Sequence, residues 1–217
     1  GEKAPSEWPF HCLNIGYIQA MNFLAHIHLS GNNDDIKIGN FIADSVRTKD
    51  LPRFTKDIQL GIQLHWAIDN FTDHHEVVKE SKALLYEEYH KYGAVLVDIF
   101  YDHYLARDWS KRSDKNLDVF VDYFYQLLRD RKAELPERIK QMLPYMVKYN
   151  WLYNYQFLEG IERVLGGMSR RASFKNNMNH GTKALKKHYT EFENHFNIFY
   201  PELEAFVANK KEELKNS

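Results

Sequence analysis

Three short segments of this 217-residue chain gather imidazoles and carboxylates in otherwise apolar surroundings. In GIQLHWAIDNFTD (Gly61–Asp73), His65 and Asp69 are four residues apart, so a helix sets them on one face, and Asp73 continues it. In DIFYDH (Asp98–His103), Asp98 and Asp102 repeat that spacing, with His103 one step round. The third segment, GNFIAD, places Asp44 on a mostly apolar turn. Two carboxylates four residues apart on a helix repel when both are ionised. Burying them among Val95, Leu96, Ile99, Phe100 and Leu105 is costly unless they are paired or hold a metal. A divalent cation removes that penalty and acidifies its bound water. The spacing makes sense for metal ligation and poor sense for simple packing. Eleven histidines against one cysteine exclude an all-cysteine zinc site and an internal disulfide, and leave His and carboxylate as the ligand types.

His26 and His28 alternate with apolar residues in FLAHIHL, and read as one core histidine and one ligand, in either order. His74 and His75 mark a helix start, and His90, His180, His188 and His195 lie on polar faces, so these six read as surface residues. Arg107, one turn after His103, suits either a phosphate near a metal or a helix-end ion pair. Arg170-Arg171 suits either an anion clamp or a solvated surface. The chain has no phosphate-binding glycine loop and no Gly-x-Ser-x-Gly nucleophile elbow.

The elements that must position these groups are helices. The patterns predict helices over Asp34–Val46, with Asp34 or Asp35 as cap, and over Lys56–Phe71, His75–His90 and Tyr92–Trp109, the last central. Further helices are expected over Asn116–Arg131, Pro136–Tyr149 and Asn150–Leu165, the last closed by Gly166-Gly167, and over Asn176–His195 and Pro201–Lys215. Only Phe23–Leu29 alternates like a strand, and it reads equally as a short helix. The fold class is all-α: a single-domain helical bundle over residues 21–217. Residues 1–20 read as a leader or an added extension before Met21, with neither the basic start nor the apolar core of a secretory signal.

With 29 basic and 30 acidic residues, the net charge of −1 argues against a wholesale nucleic-acid binder. No stretch approaches the roughly 20 apolar residues that a membrane span needs, so the expected location is cytoplasmic.

MNFLAHIHLS (Met21–Ser30), GNFIADSVR (Gly39–Arg47), GIQLHWAIDNFTD, VLVDIFYDHYLARDW (Val95–Trp109) and GMSRR (Gly167–Arg171) resemble, in order and spacing, the acyl carrier protein phosphodiesterase family. The resemblance implies an HD-domain-like all-α fold and a divalent metal, most suitably Mn2+. It implies removal of 4′-phosphopantetheine from the serine of holo acyl carrier protein. By motif position it implies Asp44, His65, Asp102 and His103 as the metal ligands. Asp69 and Asp98 follow as further ligands, orienting groups or proton acceptors, and Arg107 as a stabiliser of developing charge. One departure is Trp66, which follows His65 where the resemblance leads one to expect a basic residue. An acidic carrier partner requires a local basic surface, from Arg47, Arg53 and Lys56 or from Lys183, Lys186 and Lys187. Two other readings stand beside it: the same chemistry on a small phosphodiester or nucleotide, and a non-catalytic helical binding module.

Overall fold

The computed structural model describes residues 23–172 and 176–216, and the expected leader over residues 1–20 lies outside them. Among the described residues there are twelve α-helices and no strand. They are α1 Phe23–Leu29, α2 Asp34–Ile42, α3 Lys56–His74, α4 Glu76–Ala83, α5 Tyr86–Tyr89 and α6 Gly93–Arg107. After them come α7 Leu117–Asp130, α8 Glu137–Lys148, α9 Trp151–Asn154, α10 Leu158–Arg171, α11 Gly181–Lys187 and α12 Tyr189–Lys215. The FLAHIHL segment is therefore helical. No described helix is long and apolar enough to cross a membrane.

Helix α6 is central, with twelve of its fifteen residues buried. The short α1 lies against it, and a carboxylate of α6 caps its first turn. Asp102 Oδ2 and Oδ1 accept the amide N–H groups of Leu24 and Ala25, each at 2.9 Å. These are two of the unpaired donors that begin any helix.

Helix α2 is capped by Asn33 rather than by Asp34 or Asp35. Asn33 Oδ1 accepts from the amides of Asp35 and Ile36 at 2.9 and 3.2 Å. Asp34 and Asp35 fall in the first turn, where the helix dipole favours them. Helix α3 starts at Thr55, whose Oγ1 accepts from Ile58 N at 3.3 Å.

The α2–α3 pair touches backbone to backbone through two glycines. A Cβ on Gly39 would stand 2.1 Å from the Ile58 carbonyl oxygen, and one on Gly61 would stand 2.3 Å from that of Ile36. Only hydrogen fits at either position, so the two helices approach closely where α2 carries Asn40 and α3 carries His65.

Several boundaries differ from the sequence patterns. Helix α12 runs through Pro201 instead of restarting there, because Phe196, Phe199, Tyr200, Leu203 and Val207 form one buried face across it. That burial outweighs a proline's disruption of about 3 kcal/mol. Gly166-Gly167 lies inside α10 rather than closing it, since Met168, 1% exposed, extends the apolar face of Ile161, Val164 and Leu165. The expected helix His75–His90 is divided at Leu84-Leu85 into α4 and α5, Asn150–Leu165 is divided after Asn154 into α9 and α10, and Asn176–His195 is broken at His188 between α11 and α12.

Candidate metal centre

The α2–α3 contact and α1 bring four side chains together. His65 from α3 and His26 from α1 stack with ring centroids 4.1 Å apart and planes at 24°. His65 Nε2 lies 3.3 Å from Asp44 Oδ1 and 3.2 Å from Asp69 Oδ2. His26 Nε2 lies 3.3 Å from Asp69 Oδ1. The side-chain ligand atoms of His26, His65 and Asp69 all fall within 4.8 Å of one another, close enough to share one cation.

Asn40 orients both imidazoles. His26 Nδ1–H donates to Asn40 Oδ1 at 2.7 Å, and His65 Nδ1–H donates to the Asn40 carbonyl at 2.8 Å. The Asn40 amide is itself fixed, because its Nδ2 donates to the His26 carbonyl at 3.0 Å and to Ser30 Oγ at 3.1 Å. With each Nδ1 holding its proton against an oxygen, each Nε2 is left facing Asp69. That is the tautomer a metal-binding histidine needs, held by an outer partner.

The donor set fits a divalent cation. His26 Nε2 is fully buried and has no hydrogen-bond partner, although an Asp69 oxygen lies 3.3 Å away: with the ring proton on Nδ1, Nε2 presents a lone pair to that carboxylate. A buried imidazole nitrogen left so is costly unless something else engages it. The titration directions say the same. Burial, then the charge of His65, pushes His26 below its ordinary value. Burial also lowers His65, but hydrogen bonds and charge from Asp44 and Asp69 outweigh it and raise His65 to about 10. Burial raises the Asp69 carboxyl, and the two histidines more than reverse that, holding it well below the usual carboxylate range. Without a cation, one proton on His65 takes the place of the positive charge. Asp69 has a side chain 45% exposed, so the group opens at the surface.

Of the residues singled out in the sequence, Asp44, His65 and Asp69 meet here. Asp102 and His103 do not join them. Asp102 is fully buried with both oxygens taken by the start of α1. Burial raises its carboxyl to about 8 despite those two amides. His103 donates from Nδ1 to the Tyr155 carbonyl at 2.8 Å and meets the Tyr189 hydroxyl through Nε2 at 2.8 Å. Adjacent positions on a helix diverge by about 100°, so α6 turns Asp102 to α1 and His103 to α12. Asp98 faces a cavity of about 20 Å³ shared with Thr72, Tyr101 and Asp102, room for one water. Burial, then the charge of Asp69, pushes its carboxyl well above the ordinary value. Arg107 is committed to Asp108 at 2.8 Å, to Glu193 at 2.5 Å and to the Tyr189 hydroxyl at 3.1 Å. Arg170 is exposed, and the Arg171 side chain lies outside the described residues.

His28 takes the core role in its pair. Its Nδ1 meets the Tyr200 hydroxyl at 2.9 Å, and its ring packs edge-on to Trp109. Asn40 escaped the sequence reading, although it stands one helical turn before Asp44 and so shares its face.

The sequence model of the acyl carrier protein phosphodiesterase family matches residues 21–203. The chain is 30% identical over 191 residues to the acyl carrier protein phosphodiesterase of Photorhabdus laumondii, covering 88% of this chain and 96% of the relative. It is 33% identical over 192 residues to the protein of that name from Klebsiella pneumoniae, covering 88% and 100%. For the Salmonella agona protein of that name the identity is 32% over 191 residues, covering 88% and 99%. No solved structure matches the chain. A match of this length, with the relatives spanned almost end to end, means that the chain belongs to the acyl carrier protein phosphodiesterase family of hydrolases.

Proposed function

We propose that this protein removes 4′-phosphopantetheine from the serine of holo acyl carrier protein, leaving the apo carrier, with a divalent cation held by His26, His65, Asp69 and Asp44. Among divalent cations we favour Mn2+, which suits mixed imidazole and carboxylate donors. The observation that carries this reading is the convergence of two Nε2 atoms on Asp69 in a chain of this family. The assignment replaces Asp102 and His103 with His26 and Asp69, because the first two are engaged elsewhere.

When bound, such a cation supplies Lewis acidity toward a phosphodiester oxygen and lowers the pKa of a coordinated water. The chain's own residues do the rest. Asn40 keeps both Nδ1 atoms protonated and both Nε2 atoms available. Asp69 and Asp44 balance the positive charge, and Asp44, whose side chain is 17% exposed at the rim, is placed to accept a proton from an attacking water. The buried floor of His26 and His65 excludes bulk water from beneath the site, which strengthens each charge interaction there. The carrier and the activity are assigned to the cytoplasm.

The test is mass spectrometry of holo acyl carrier protein incubated with the purified protein and Mn2+. Loss of the phosphopantetheine mass is expected. An inert carrier combined with rapid cleavage of bis(4-nitrophenyl) phosphate would favour a small-diester enzyme. Inertness toward both, with no thermal stabilisation by Mn2+, would favour a binding module.

A further inference from the structure

The bond to be broken joins the phosphopantetheine phosphate directly to a serine of the carrier. On the function proposed above, the carrier's own surface must therefore rest against the rim beside Asp44 and Asp69. The rim on the Asp44 side is the segment 45–56. It leaves the site at Ser45, winds through a 3-10 stretch at Thr48–Arg53 and enters α3 at Lys56.

This segment is strongly basic in a chain of net charge −1. Residues 47–56 hold Arg47, Lys49, Arg53 and Lys56 against the single carboxylate of Asp50. Asp50 is turned inward, its side chain 15% exposed, and serves both guanidiniums. Arg47 Nε donates to it at 2.9 Å, and Arg53 Nη1 lies 3.3 Å from it. Both arginine side chains nevertheless stay open to solvent, at 72% and 77% exposure. Lys49 and Lys56 are exposed and take part in no ion pair among the described residues.

Lys56 also stands in the first turn of α3, where the positive end of the helix dipole disfavours a cation. The stability of α3 gives no reason for a lysine there. The neighbouring Asp57 is turned away to Asn33, accepting from its Nδ2 at 2.8 Å. Val46, Leu51 and Phe54 pack against the core, so the basic groups stand on a fixed shelf. The other lysine cluster, Lys183, Lys186 and Lys187, is on α11, whose main neighbours are α10 and α12 rather than the site helices.

We propose that Arg47, Lys49, Arg53 and Lys56 form the docking shelf for the acidic surface of the carrier protein, holding its serine phosphodiester over the His26–His65–Asp69 group. Exposed charges of this kind act on encounter and orientation, and salt screens them. They should govern KM for the carrier and leave the chemistry alone.

Two double variants test this with Mn2+-loaded full-length protein: Arg47→Glu/Arg53→Glu, and Lys49→Glu/Lys56→Glu, which disturbs no ion pair. Each is expected to raise KM for holo acyl carrier protein at least tenfold, with kcat within twofold. Cleavage of bis(4-nitrophenyl) phosphate should stay at the wild-type rate. The wild-type KM should rise with salt, and the variants' KM should depend on it less. Lys183→Glu/Lys186→Glu should match wild type in all respects. Unchanged KM in both shelf variants, with an active wild type, overturns the docking shelf and leaves the proposed function standing. So does an equal loss on the small diester, which would make the segment structural. A wild type inert toward the carrier overturns both proposals together.

Discussion

His26 and His65 come from helices far apart in sequence, yet their rings stack at 4.1 Å and both present Nε2 to Asp69. Neither imidazole is free to turn away, because Asn40 holds the Nδ1 of each. His26→Ala should therefore weaken Mn2+ binding by more than roughly 100-fold, beyond the 10–100-fold typical of losing an outer partner. Asn40→Ala should fall within that 10–100-fold range, roughly, since it loosens ligands without removing one. Titration calorimetry with Mn2+ ranks the two, and equal affinity for His26→Ala and wild type would remove His26 from the ligand set.

The raised pKa of His65 sets a direction for pH. Folding lifts it from 6.5 to about 10. Its protonated form thus contributes stability that is fully present below pH 6.5 and is lost as the pH rises toward about 10. In metal-free protein, Tm should decline across that window, and His65→Gln should flatten the decline. Mn2+ needs the neutral ring, so binding should expel close to one proton and tighten with rising pH over the same range. Calorimetry in buffers of different ionisation enthalpy counts the proton, and a count near zero at pH 7.5 would contradict the assignment.

Asp102 acts through α1 rather than as a ligand. Asp102→Ala leaves the buried amides of Leu24 and Ala25 without acceptors. The expected loss is about 2–4 kcal/mol, measured by urea denaturation of metal-free protein. Where the variant remains folded, it should still bind Mn2+ with wild-type stoichiometry. Stability within 0.5 kcal/mol of wild type, roughly the scatter of a neutral surface change, would refute the capping role.

Gly39→Ala should separate α2 from α3, since the new methyl would fall 2.1 Å from the Ile58 carbonyl oxygen. Backbone must move to admit it, at about 1–3 kcal/mol. The shift falls next to Asn40, so Mn2+ affinity should drop along with Tm. Gly166→Ala is the control, since its Cβ would meet only the Arg170 side chain at 3.6 Å. An alanine in mid-helix there should be neutral or slightly stabilising.

The all-α class and most of the helices could be read directly from apolar periodicity, because each pattern is local to its own helix. The His65–Asp69 pair was equally legible, since i, i+4 spacing sets a shared face whatever the surroundings. Asp98 and Asp102 carried the same i, i+4 signal and the resemblance added His103, yet Asp102 and His103 went elsewhere. Spacing places side chains around one helix axis and says nothing about which neighbour each face will meet. That was decided by tertiary contacts. Gly39 and Gly61 let α2 lie close on α3, which put Asn40 and Asp44 beside His65. Asp102 tied α1 to α6, and α1 brought His26 to the same point. By itself, the amino-acid sequence determined that any metal here would be met by imidazole and carboxylate. Close packing of three helices decided which imidazoles and which carboxylates, because only there do side chains far apart in sequence come within reach of a single cation.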